Sequence, residues 1–235
     1  MELSELFTKL SYGPLSNLAI SNNGSGEIIE DAKPKLTSYA NTALLRLYSR
    51  FVLKENDVLV KMLPGVTFYH LLPQYAEQSY DPESEITPYI LDLSREKFEG
   101  DVVKILSIYD DMGCKRPLND DNAWNSLYTP QHNTVQNPSA KLNEVLAIHY
   151  QAKHAKLVWD ATADQTIYLP DVLEEALTSY IAYKVYTDMN TPDSTAKAQE
   201  HMGMYDNICN EVVDRDLVNS SVAGTNIKFA KRGFC

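Results

Sequence analysis

IYLPDVLEEALTSYIAYKVYTDMNTPDSTAKAQEHMGMYDNICNEVV, Ile167–Val213, decides how this chain is organised. A short β-type run ends at Leu169-Pro170-Asp171, a helical stretch follows, Asn190-Thr191-Pro192-Asp193 breaks it, and a second helical stretch begins. Asp171 stands where an N-cap carboxylate accepts bonds from the free amides of a first turn, and Glu174 follows three residues on as the capping-box partner. Leu173, Leu177, Tyr180, Ile181 and Lys184 recur at helical spacing, which makes one face apolar and partly aromatic. Asn190 or Thr191 caps the second helix, and Pro192 falls early in it, where proline is tolerated. Ala198, Met202, Tyr205, Cys209 and Val212 form a stripe to lie against the first helix. The product is a helical hairpin without catalytic motifs, the build of a packing and assembly device.

Outward from the hairpin, residues 1–20 begin helically (LSELFTKL) and are broken by Gly13-Pro14, with SNNGSG at 21–26 as a turn. Residues 28–50 predict a second helix with Leu36, Tyr39, Ala40, Ala43, Leu44 and Leu47 on its buried stripe and Pro34 in its first turn. From Asp57 the period changes. VLVKML and VTFYHL flank Pro64-Gly65, the pair a type II turn wants at its centre, and predict a hairpin. Residues 73–100 predict a long, partly ordered loop, and DVVKILSIYDD at 101–111 a strand ending in a turn at Met112-Gly113. Residues 117–140 are rich in Asn, Pro and Gln around Trp124, Leu142–Tyr150 is a further strand, and Thr166–Leu169 a last short one. The expected class is α+β, with N- and C-terminal helices forming a helical bundle, a β-rich insertion and an extended C-terminal arm. The expected divisions are 1–50, 51–170, 171–216 and 217–235.

The bulk composition fits a soluble globular chain. Its 235 residues can bury a sizeable core, and 44% hydrophobic with 23% charged residues is ordinary for that class. No apolar run approaches membrane-spanning length, and the first residues lack the pattern of a signal peptide, so neither membrane insertion nor secretion is expected. Cys114, Cys209 and Cys235 are odd in number and scattered, which argues against a disulfide framework. The net charge of −11 is concentrated in residues 71–121 and 171–216, whereas 217–235 hold Lys228, Lys231 and Arg232 and no acid. An acidic body disfavours tight wrapping of nucleic acid, whose phosphates are held chiefly by Lys and Arg.

Reaction chemistry finds little support. His70, His132, His149, His154 and His201 form no HExxH, Cys114 has no second cysteine at zinc spacing, and the chain holds no GxSxG, Walker loop or GxGxxG. Asp110-Asp111 and Asp120-Asp121 sit at turns, where such pairs usually serve backbone bonding. No metal and no cofactor is expected. Tyrosine is abundant instead, and Tyr180, Tyr183, Tyr186 and Tyr205 lie on the hairpin helices as expected contacts between subunits, since tyrosine joins rigid area to a polar tip. The ordinary reading of such residues, as amphipathic groups at a core margin, stands beside it.

The order of features resembles the head-to-tail connector (adaptor) proteins of tailed bacteriophages. The resemblance rests on the strand ending in Ile148-His149-Tyr150, the Ile167–Asp171 segment, the Ala176–Tyr186 helix, and the second helix with Ala196, Ala198, His201 and Tyr205. VKMLPGVTFYHL adds to it, while residues 71–140 match nothing in the family. The resemblance implies a dodecameric homo-oligomeric ring below the portal protein, which extends the channel for genomic DNA without binding it specifically and carries the tail or nozzle proteins. It implies a portal-docking arm with Lys228, Phe229, Lys231, Arg232 and Phe234, and channel-lining acids among Glu200, Asp206, Glu211 and Asp214. The expected place is the head-tail junction of a virion assembled in the host cytoplasm. Two alternatives stay open, another tail component (a tail-tube or nozzle subunit) and a small carboxylate-dependent hydrolase.

Overall fold

Apolar spacing and helix caps set the first elements in a computed structural model of the chain, which describes residues 1–79, 86–92, 97–141 and 144–218. Helix α1 (Leu3–Tyr12) buries Leu3, Leu6, Phe7 and Leu10. Helix α2 (Lys33–Arg50) carries Pro34 in its first turn and buries Leu36, Ala40, Ala43, Leu44 and Leu47, with Tyr39 half-buried beside them. Helix α3 (Glu174–Met189) ends where Asn190 turns left-handed (φ 49°), and α4 (Pro192–Asp214) starts after the single intervening residue Thr191. Buried side chains of all four helices join one apolar cluster.

The caps of the hairpin differ from the expected ones. Thr191 Oγ1 accepts from Ser194 N at 3.2 Å and Ser194 Oγ accepts from Thr191 N at 2.9 Å, a full capping box at the start of α4. The box expected at Asp171 and Glu174 is not formed. Asp171 opens a 3-10 turn, Asp171–Leu173, and α3 begins at Glu174 without a side-chain cap. Glu174 is committed elsewhere, to Lys9 of α1 at 2.6 Å. The short strand expected at Thr166–Leu169 is reduced to one antiparallel bridge between Thr166 and Glu2.

The chain divides into two units. Residues 1–53 and 154–218 form the helical one, and residues 54–153 the β-rich one. The stretch 154–170, expected in the β-rich insertion, therefore sides with the helices: Asn41 of α2 exchanges two bonds of 2.8 Å with the Leu157 backbone, and Tyr48 donates to the Tyr168 carbonyl.

The β-rich unit contains β1 (Glu55–Lys61), β2 (Phe68–His70), β3 (Ile90–Leu91), β4 (Val102–Tyr109), β5 (Lys115–Arg116), β6 (Tyr128–Gln131), β7 (Thr134–Gln136) and β8 (Val145–Ala152). They make two antiparallel sheets, ordered β3-β1-β8-β4-β5 and β2-β7-β6. Register sets Val58 against Ile148 and Ile148 against Ile108, so alternate residues of β1 and β8 share one buried face with Val102, Ile105 and Ile108 of β4, whose spacing of three follows two register shifts in that strand. Gly65 takes φ +74° and Val66 N donates to Leu63 O at 3.4 Å, the expected turn. The hairpin expected around it does not form, because β1 pairs with β3 and β8 whereas β2 pairs with β7 in the other sheet.

Leu177, fully buried in α3, and Met204, exposed on α4, separate core from surface. Leu177→Ala should cost about 2–5 kcal/mol of unfolding free energy, and Met204→Ala no more than ~0.5 kcal/mol. Thr191→Ala should cost about 1 kcal/mol and Asp171→Ala none that is measurable. Denaturant titration checks all four, and equal losses at Thr191 and Asp171 would overturn the cap assignment.

Candidate functional site

The hairpin interior explains where its tyrosines go. Tyr180, Tyr186 and Tyr205, expected between subunits, are buried inside the helical unit at 5%, 4% and 0% exposure, and Tyr183 is half-buried at its margin. Tyr180 and Tyr205 pack with ring centroids 5.3 Å apart, and the Arg46 guanidinium of α2 lies 5.3 and 5.4 Å from the two rings. Lys184 sits 5.6 Å from Tyr183. Tyr186 stacks on His201 at 5.4 Å, lies near Lys197 on α4, and donates to the Pro14 carbonyl at 2.9 Å. Cations over aromatic faces gain the ring quadrupole, and no local signal in the chain marks Arg46 as their partner. Most of the tyrosine area is thus covered within the chain, which leaves Tyr183 as the tyrosine of this set with surface to offer a neighbour.

Helical geometry sorts the four candidate acids. Glu200, Glu211 and Asp214 are exposed and fall with Met204 and Asn207 along one stripe of α4, opposite the buried stripe of Ala198, Tyr205, Cys209 and Val212. Asp206 is off this line. It is half-buried and turned toward α2, where Arg50 approaches it at 3.5 Å and donates to Asn210 at 2.7 Å. Glu211 pairs with Arg215 at 2.9 Å, an exposed i,i+4 contact of little energetic weight. Three carboxylates thus share the exposed face of a helix whose opposite face is packed. The arm residues Lys228, Phe229, Lys231, Arg232 and Phe234 lie outside the described residues.

Polar groups of the β-rich unit serve as braces. Asp101 is buried, and its Oδ1 accepts from the Tyr150 hydroxyl at 2.8 Å while Oδ2 accepts from Lys54 and Asn56, each at 3.3 Å. Both oxygens thus tie β-rich elements together beside a cleft of about 320 Å³ that Asp101 helps to line. His149 on β8 meets Asp57 at 2.6 Å through Nδ1 and Glu55 at 3.0 Å through Nε2. The two carboxylates occupy opposite ring nitrogens, so the three groups do not converge on one point. Burial also pushes the Cys209 thiol up, away from the reactive thiolate. Among the described residues, no helix is long and apolar enough to cross a membrane.

Burial pushes the phenols of Tyr48 and Tyr205 up to about 12, and those of Tyr89 and Tyr150 higher still. The Tyr150 phenol is raised by burial first and then by the Asp101 carboxylate beside it. In an unfolded chain these groups ionise near ~10. The unfolded state therefore loses its protons first, so the stability they contribute is complete below about pH 10 and is lost as pH rises toward about 12. Unfolding free energy should fall over that window, with phenolate absorbance of the four rings appearing only as structure is lost. Their ionisation near pH 10 with the fold intact would contradict this. No protein-family model matches the chain and no curated protein sequence matches it, so its own geometry carries the functional reading.

Proposed function

We propose that this chain is a structural virion protein, a head-to-tail adaptor that forms a closed ring below the portal of a tailed bacteriophage, extends the DNA channel and provides the platform for tail attachment. The observation that carries the reading is the exposed row of Glu200, Glu211 and Asp214 on α4. A helix of 23 residues is a rod of roughly 35 Å, and its opposite face is locked into the hairpin core. Repeated around a ring, such rods would present negative charge to the phosphates of a passing duplex. At physiological salt that repulsion acts within ~8 Å, enough to keep DNA from adhering to a narrow wall.

A closed ring needs two different complementary surfaces on each subunit. In this reading Tyr183 and Lys184, half-buried at the margin of α3, belong to one of them. The β-rich unit faces the tail or nozzle proteins, and the arm with Lys228, Phe229, Lys231, Arg232 and Phe234 reaches the portal. Twelve-fold copy number follows the resemblance to the adaptor family.

Two experiments test the reading. Mixed with the cognate portal, the chain should enter a ring-shaped complex visible by electron microscopy, and failure to join it would sink the proposal. Glu200→Lys, Glu211→Lys and Asp214→Lys combined should leave that ring intact but make it retain duplex DNA at low salt. Unchanged DNA retention would remove the channel role from α4.

A further inference from the structure

Met112 and Trp124 are 85% and 86% exposed, the most exposed large apolar side chains among the described residues. Both line one cleft of about 440 Å³ in the β-rich unit. Large apolar groups held in water mark contact sites when they are grouped, and tryptophan in particular dominates binding energy where it anchors an interface.

Neither side chain is exposed for want of local structure. Met112 sits in a turn whose Asp110 carboxylate accepts from Met112 N at 3.1 Å and Cys114 N at 2.8 Å. Trp124 sits in a loop closed by Ala123 N to Asp120 O at 3.2 Å and Ser126 N to Ala123 O at 3.0 Å. Arg116 donates to the Asn125 carbonyl at 2.8 and 3.1 Å and pairs with Glu144 at 3.0 Å, both members of that pair largely buried. Two braced turns thus hold an indole and a thioether out into solvent. Asp110, Asp111 and Lys141 line the same cleft, Lys115 follows the Met112 turn, and Asp120 and Asp121 precede Trp124 in its loop. The rim is acidic.

The chain also holds a segment of opposite character. Beyond Val218, which packs on the helical core, residues 219–235 contain Lys228, Lys231 and Arg232, no acid, and Phe229 and Phe234 among the cations. Seventeen residues span at most roughly 60 Å, long enough to reach a second molecule. Phenylalanine can pack on indole and thioether, and Lys or Arg can lie over the indole face or meet the aspartates.

We propose that the basic C-terminal segment, residues 219–235, of one copy docks on the acidic Met112–Trp124 tip of a second copy. Such a contact is head-to-tail, the kind that propagates from copy to copy and can close. The contact stands apart from the function proposed above, in which the portal takes the same segment and so competes for these cations.

Light scattering on the full chain tests the contact. Association should rise with concentration and weaken with salt, and an excess of a synthetic peptide of residues 217–235 should disperse it. Trp124→Ala, at an exposed position, should weaken both association and peptide binding at least tenfold while leaving the circular dichroism spectrum unchanged. Asp111→Lys with Asp121→Lys should abolish association, and adding Lys228→Glu, Lys231→Glu and Arg232→Glu to that chain should restore it. Equal peptide binding by the Trp124→Ala chain, no saturable peptide binding, or no rescue by the charge exchange would each overturn the proposal. A wild-type chain that stays monomeric while its peptide binds would place the contact within one molecule and overturn the second-copy assignment. Loss of the portal-bound ring with the peptide results intact would count against the adaptor reading alone.

Discussion

Burial of α3 is the constraint on which the helical unit depends. Ala176, Leu177, Ser179, Tyr180, Ile181, Ala182, Val185 and Tyr186 are all buried, which puts most of the helix surface out of water. A helix covered on so many sides needs partners on several, and α1, α2 and α4 supply them through one shared cluster. Glu174 at its start is tied to Lys9 of α1, and Asp188 near its end to Lys35 and Tyr39 of α2. Segments far apart in sequence are therefore required together before α3 can be covered.

Covering so much tyrosine raises a second problem, the fate of the polar ring tips. Tyr48 solves it by donating to the Tyr168 carbonyl and Tyr186 by donating to the Pro14 carbonyl. Buried hydroxyls without such partners would cost stability. Arg46 and Lys197, both exposed, add cations over the aromatic faces at the hairpin surface. The outer face of α4 is then free to be acidic, because nothing in the core depends on it.

The helical elements were legible because their signals are local. Leu36, Ala40, Ala43, Leu44 and Leu47 repeat at helical spacing, and Thr191-Pro192 announces the start of α4. The Pro64-Gly65 turn was also legible, since Gly65 alone meets its positive φ without strain. The partners of the flanking strands were not. A turn fixes a local reversal, while pairing is chosen by which strands can share a buried face, and β8 offers β1 a long register that β2 cannot match.

The amino-acid order by itself determined the class α+β, the hairpin, the acidic second helix and the separation of a basic final segment from an acidic body. Tertiary structure decided that three of the hairpin tyrosines face inward, that Glu174 serves an ion pair instead of a cap, and that Asp206 meets Arg50 of α2. It also decided that Trp124 and Met112 stand in solvent. Periodicity tells which residues share a face of their own element. What that face meets depends on groups distant in the chain, and only folding brings those groups within reach.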